Sequence, residues 1–252
     1  EILIGLVGSE MCIRDRYETV QSILAKSGHI NHKYLKESES DKKAVIVVTA
    51  NRGLAGGYNS NITRMIIDEG FTKENTVVYA VGKKGRELLE RKGYEIKADY
   101  SEAINDPIYK DAKEICDDVL SAFADGEVGE IYLAYTVFKN TVVHEPQLIR
   151  LLPVEADDAA HETDGSEALM TYEPSEEEAL DMIIPKYVCS LVYGALIESV
   201  ASENGARMQA MDSATSNAEE MISTLSLKYN RARQASITQE LTEIIAGANA
   251  IE

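Results

Sequence analysis

Four polar side chains near the C-terminus, Arg233, Gln234, Thr238 and Glu240, lie within RARQASITQEL, together with Arg231 and Gln239. On a helix, Gln234, Thr238 and Leu241 fall about one turn apart, and Arg233 and Glu240 share nearly one face. A guanidinium is a planar fork of donors. Its charge-assisted bonds to carboxylates or hydroxyls can break on one partner and form again on another. By composition alone the band is either a solvated polar face or such a contact. Upstream, Glu203 and Arg207 stand four apart with the acid first, the order that supports a helix by a few tenths of a kcal/mol.

The remaining reactive residue types assemble no catalytic motif. Ser, Asp and His occur, but GxSxG and HExxH do not. Glu176, Glu177 and Glu178 are consecutive, so they point to different sides of a helix and read as helix-start charge with Ser175 as cap. The stretch NRGLAGGYNSNI follows the strand-like AVIVVTA and precedes the helix-like TRMIIDEGF, the order of a nucleotide site. Its glycines, Gly53, Gly56 and Gly57, spell GxxGG and not GxGxxG, and no Lys-Ser or Lys-Thr follows as a phosphate loop needs. A tight turn with positive φ at glycine, capped by Asn59 or Ser60, explains the stretch as well. Cys12, Cys116 and Cys189 are odd in number and lie far apart, so they read as buried or incidental thiols of a reducing compartment. His29 and His32, three apart, could make half a metal site. With no other ligands nearby they read as solvent-facing. Neither a metal nor a cofactor is expected.

The polar band must be carried by a long helix. Between Gly205 and Gly247 there is no Gly or Pro, roughly 40 residues or about 60 Å at about 1.5 Å per residue. Such a helix is expected to project from its domain. Met208, Met211, Thr215, Ala218, Ile222, Leu225, Tyr229 and Ala232 recur at spacings of three and four, and Ile237, Leu241, Ile244, Ile245 and Ala248 continue after a phase shift. This is the narrow seam of a coiled coil, and its Ala, Ser and Thr residues keep the contact surface shallow.

Before the helix, short β-branched runs alternate with amphipathic ones. Strands are predicted at 44–50, 75–82, 94–100, 131–143 and from His144 to Val154. Helices are predicted after Asn59, at 83–92 with Gly93 as stop, and at 106–127 with an Asp-Pro start. The pattern is that of an α/β, Rossmann-like doubly wound domain at 41–154. Residues 155–174 form an acidic loop, and Pro185 implies a kink or restart in the helix that follows at 175–252. Net charge is −18 with a pI near 4.7, which excludes nucleic acid as a partner. No apolar run reaches the roughly 20 residues that span a bilayer, and no basic amphipathic helix suits its surface, so no direct bilayer insertion is expected.

The residues also carry a family resemblance. GARMQAMDSATSNAEEMI and YNRARQASITQELTEIIAGA resemble the C-terminal helix of the gamma subunit of F-type ATP synthase, the central rotor stalk. GLAGGYNSNI resembles that family's GLCGGFNSNI-type signature, which binds no nucleotide. Ala55 stands where many relatives carry Cys, which weighs against a redox role there. RYETVQSILAKSGHINHKYL resembles the connector at 17–40, and YEPSEEEALDMIIPKYV the lead into the C-terminal helix. Residues 1–16 match nothing in the family and read as an extraneous leader. The long basic N-terminal helix that pairs antiparallel with the C-terminal one in the family is expected to be missing.

The resemblance implies a non-catalytic rotor subunit. It would be driven by ion flow, of protons or sodium ions, through the c-ring and would turn inside the alpha and beta hexamer. Arg233, Gln234, Thr238 and Glu240 occupy the positions that meet the beta subunits. Glu203 and Arg207 match the rotor-stator coupling contact. Tyr172 and Glu173 match the foot that faces the c-ring and the epsilon subunit. The implied location is peripheral, on the cytoplasmic face of the bacterial plasma membrane. Two rivals stay open at this point: a nucleotide-binding enzyme using GLAGG, and a free-standing coiled-coil adaptor.

Overall fold

KAVIVV, rich in β-branched residues, forms the central strand β1 (Lys43–Val48), and the rest of the sheet grows outward from it. The computed structural model describes residues 32–35, 40–154 and 176–249. The elements after β1 are α1 (Tyr58–Asp68), β2 (Thr76–Val81), α2 (Lys83–Arg91), β3 (Glu95–Asp99), α3 (Tyr109–Ala124), β4 (Glu130–Phe138), β5 (His144–Leu152) and α4 (Glu176–Asn249). The strand order is β3-β2-β1-β4-β5, parallel except for β5, which runs antiparallel to β4. In register, Val45 lies between Val78 and Tyr132. Pro146, which lacks an N–H, sits in the outer strand β5, where only one side needs pairing.

Side chains of a strand alternate between faces, and β1 splits accordingly. Val45 and Val47 pack with Ile62 and Ile66 of α1 and Leu89 of α2. Ala44, Ile46 and Val48 pack with Ile115, Val119 and Phe123 of α3 and with Leu180, Ile184, Val188, Val192 and Leu196 of α4. The sheet is thus covered on both faces, as strands that are apolar on both sides require. The face expected for α3, with Ile115, Val119, Leu120 and Phe123, is buried throughout.

Several local expectations are corrected. Helix α3 begins at Tyr109, after Asp106 and Pro107, and the Asp111 carboxylate accepts the Ile108 N–H at 3.1 Å. Pro185 does not restart an element: it lies inside the continuous α4, whose neighbouring turns are held by the buried Leu180, Ile184 and Val188. The expected cap Ser175 lies outside the described residues. So do the leader, Cys12, His29, most of the connector and the acidic loop.

His32, expected to face solvent, is 5% exposed, with Nε2 3.2 Å from Asp181 Oδ1. The Asp181 carboxyl is held below its usual range, first by its bond with Lys33 at 2.8 Å and further by His32. Nor are Cys116 and Cys189 isolated. Both are buried, and their hydrogen bond, with burial added, pushes the Cys116 thiol well above its ordinary value.

The chain divides into two compact units, residues 1–207 and 208–252, and α4 contributes to each. In the second unit the large apolar side chains stand open, from Met211 at 47% exposed to Tyr229 and Ile244 at 68%. By length and composition α4 also contains an 18-residue window apolar enough to cross a membrane, with mean hydropathy 1.5, contrary to the expectation that none exists. More than half of that window, 56%, is buried within the protein, as in the core helix of a water-facing domain.

Candidate functional site

In a doubly wound sheet the place for a ligand is outside the carboxyl ends of the strands, where the strand order reverses. Here that place is between β1 and β4. The chain fills it with its own side chains, all from the first unit. Ala50, Ala55 and Tyr58 form a buried cluster, and Ala206 of α4 packs against it. The Tyr58 hydroxyl donates to the Ser199 carbonyl at 3.0 Å, and Ser202 Oγ donates to the Thr136 carbonyl of β4 at 3.2 Å. Burial, more than any charge, pushes the Tyr58 hydroxyl well above an ordinary tyrosine.

The loop leading into α1 is shaped for this packing. Positive φ falls at Gly56 (55°) and at Leu54 (62°), not at Gly53 or Gly57. The leucine adopts a conformation that costs a non-glycine residue about 1–2 kcal/mol, and its side chain stays 76% exposed. Neither Asn59 nor Ser60 caps α1. Gly57 is the N-cap with no side-chain bond, while Asn59 Oδ1 reaches back to accept the Ala50 N–H at 2.8 Å and Ser60 Oγ donates to the Gly57 carbonyl at 3.0 Å. Asn59 thus ties the helix start to the end of β1. A glycine loop that spends its contacts on the chain's own strand and helix makes a poor phosphate cradle.

Glu203 and Arg207 are brought together as the spacing predicts, at 2.7 Å, with side chains only 14% and 26% exposed. Arg207 also donates to the Gly53 carbonyl at 3.4 Å, linking the pair to the glycine loop.

Arg233, Gln234, Thr238 and Glu240 lie in the second unit and are all exposed. Thr238 Oγ1 donates to the Gln234 carbonyl at 2.9 Å, one turn back, so its hydroxyl hydrogen is used within the helix. The guanidinium of Arg233 and the carboxylate of Glu240 are open to solvent. Gln239 donates to Glu243 at 2.9 Å and adds local helix support. Tyr172 and Glu173 lie outside the described residues. Sequence reasoning passed over Tyr58, Ser199 and Ser202. The available signal was the run of small residues Ser199, Ser202 and Ala206, spaced three and four apart, which lets a helix approach its neighbour closely.

Among the described residues no group of three or more His, Cys, Asp or Glu could hold a metal ion. The fold and the filled crevice define a class: an α/β domain whose ligand place is occupied by its own helix, and whose open polar band lies on that same helix. Comparison with known proteins agrees. A family profile described as "ATP synthase" matches residues 11–251. The ATP synthase gamma chain of Lachnoclostridium phytofermentans is 66% identical over 241 residues, covering 93% of this chain and 83% of the relative. A gamma chain of Acetobacterium woodii, described as sodium ion specific, is 41% identical over 250 residues, covering 93% and 83%. Among solved structures, an assembly of the Euglena gracilis mitochondrial ATP synthase containing OSCP, F1 and the c-ring holds a chain of the same fold, with TM-score 0.64 at 18% identity, covering 99% of this chain and 93% of that one. The chain belongs to the ATP synthase gamma chain family, the non-catalytic subunits of the central stalk of F-type ATP synthase.

Proposed function

We propose that the chain is a rotor shaft that couples ion flow through a membrane c-ring to ATP synthesis at the beta subunits, and that it carries no catalytic residues of its own. The observation that carries this reading is the exposed band Arg233, Gln234, Thr238 and Glu240 on a helix unit whose apolar stripe is also exposed. An exposed guanidinium can exchange carboxylate and hydroxyl partners as three catalytic sites pass it in turn. The seam supplies the stiffness, and the polar band supplies contacts that break and re-form. Glu203 and Arg207, half-buried and already paired, serve in this reading as the rotor-stator coupling contact. Tyr172 and Glu173 serve in it as the foot that meets the c-ring and the epsilon subunit. The alpha and beta hexamer surrounds residues of the second unit, and the complex sits peripherally on the cytoplasmic face of a bacterial plasma membrane.

Replacing Arg233→Ala together with Gln234→Ala in a reconstituted complex is expected to lower coupled ATP synthesis while circular dichroism of the chain stays unchanged. Unchanged synthesis and hydrolysis would sink the assignment of these residues.

A further inference from the structure

Two residues with no role so far meet where β5 approaches α4. Gly205 is buried. A Cβ built on it would lie 2.6 Å from His144 Cε1, 3.1 Å from His144 Nε2 and 3.5 Å from the Thr141 carbonyl oxygen. The imidazole therefore occupies the space a side chain at position 205 would need. Glycine inside a helix costs about 1 kcal/mol relative to alanine, and the close ring is a physical reason for tolerating it here.

The ring is held by shape. Both of its nitrogens are buried and find no hydrogen-bond partner among the described residues. Its neighbours are Gly205 and the Phe138 ring, whose centroid is 5.9 Å away. The hairpin that carries it is braced against motion. Asn140 Oδ1 accepts the N–H groups of Val142 and Val143 at 2.9 and 2.8 Å, Lys139 pairs with Glu145 at 2.5 Å, and the register sets Phe138 opposite His144.

We propose that His144 and Gly205 act as a key and notch that fix the rotational setting of α4 against the β4–β5 hairpin, and so serve as positioning residues for torque transfer. The proposal rests on the rotor reading above. Three hydrogen bonds also hold this stretch of α4: Tyr58 to Ser199, Ser202 to Thr136 of the same hairpin, and Arg207 to Gly53. Each such bond contributes about 1 kcal/mol and can re-form on a shifted partner, so bonds alone resist a turning helix weakly. Steric overlap rises far more steeply. Turning α4 by one residue, about 100°, would present Asn204 or Ala206 to the ring, and either brings a Cβ into the occupied space.

The test uses ATP synthase assembled with this chain carrying Gly205→Ala, His144→Ala or both, read as ions pumped per ATP hydrolysed against an opposing gradient. Urea unfolding of each purified full chain runs in parallel. Gly205→Ala displaces the ring and His144→Ala empties the notch, and each is expected to lower the pumping ratio by about threefold. In the double variant the new methyl enters the vacated space and most of the loss is recovered. Wild-type ratios in both single variants, with only the unfolding midpoint lowered, would overturn the key. Losses that simply add in the double variant would overturn it too. The wild-type complex and the Arg233→Ala, Gln234→Ala complex separate the two readings. If the wild-type chain supports no coupled synthesis, the rotor reading fails and takes the key with it. If both complexes behave as a rotor requires while the three variants pump normally, only the key fails.

Discussion

Helix α4 carries an apolar stripe through both of its units, and the two stretches use it in opposite ways. In the first unit Leu180, Ile184, Val188, Val192 and Leu196 recur every four residues and are at most 2% exposed. In the second, Met208, Met211, Ile222, Leu225, Ile237, Leu241 and Ile245 belong to a stripe spaced by threes and fours and are 47–64% exposed. One stretch is stabilised by the sheet domain; the other holds its helix by propensity and local bonds such as Thr215 to the Met211 carbonyl at 2.9 Å. Helical periodicity alone therefore says that a stripe will be covered, but not by what.

Leu180→Ala should break this comparison most forcefully. Emptying a fully buried site is expected to cost about 2–5 kcal/mol in urea unfolding of the chain. Leu225→Ala should change the same measurement by less than about 0.5 kcal/mol, because its side chain is already solvated. Equal losses would mean that the second stripe is covered in the free chain.

Tyr58→Phe sharpens the comparison at a middle scale, removing the bond to Ser199 for about 1 kcal/mol. Its pH dependence has a definite sign. Burial raises the folded-state pKa of Tyr58 above the ordinary tyrosine value of 10.0, so above that pH the unfolded chain releases a proton that the folded chain keeps. Wild-type stability should fall as pH rises past that value, and the Phe variant should fall less steeply.

The smallest effect is expected at Asp181, whose side chain is 47% exposed. Asp181→Asn should cost a few tenths of a kcal/mol at neutral pH, measured as a salt-sensitive shift of the unfolding midpoint. Because the carboxyl is held below its usual range, that contribution is present above the ordinary carboxylate pKa and is lost as pH falls through the folded value.

Much of the fold was legible residue by residue. AVIVVTA read as a buried strand and NTVVYAVG as a second one, Gly93 ends α2 with φ 88°, and the alternating polarity of YEIKADY marks β3 as an edge. The Glu203–Arg207 pair followed from spacing alone. What stayed hidden was every role that depends on a distant segment. Tyr58 meets a residue 141 positions away, and Arg207 meets one 154 positions away. Asn59 looked like a cap because short polar residues at helix starts usually are, and only the nearness of Ala50 redirects its oxygen. His32 lay beyond reach for the same reason, since its burial depends on Asp181 of α4.

By itself, then, the sequence determined the local periods, the strand and helix types, the family and the polar band, because these depend on residues within a few positions of one another. Tertiary structure alone decided that the switch-point crevice is filled by Tyr58, Ala55 and Ala206, that Cys116 and Cys189 touch, and that Gly205 makes room for His144. Those outcomes depend on which surfaces are brought within about 4 Å, where dispersion, steric repulsion and hydrogen bonding act, and no local pattern encodes that proximity.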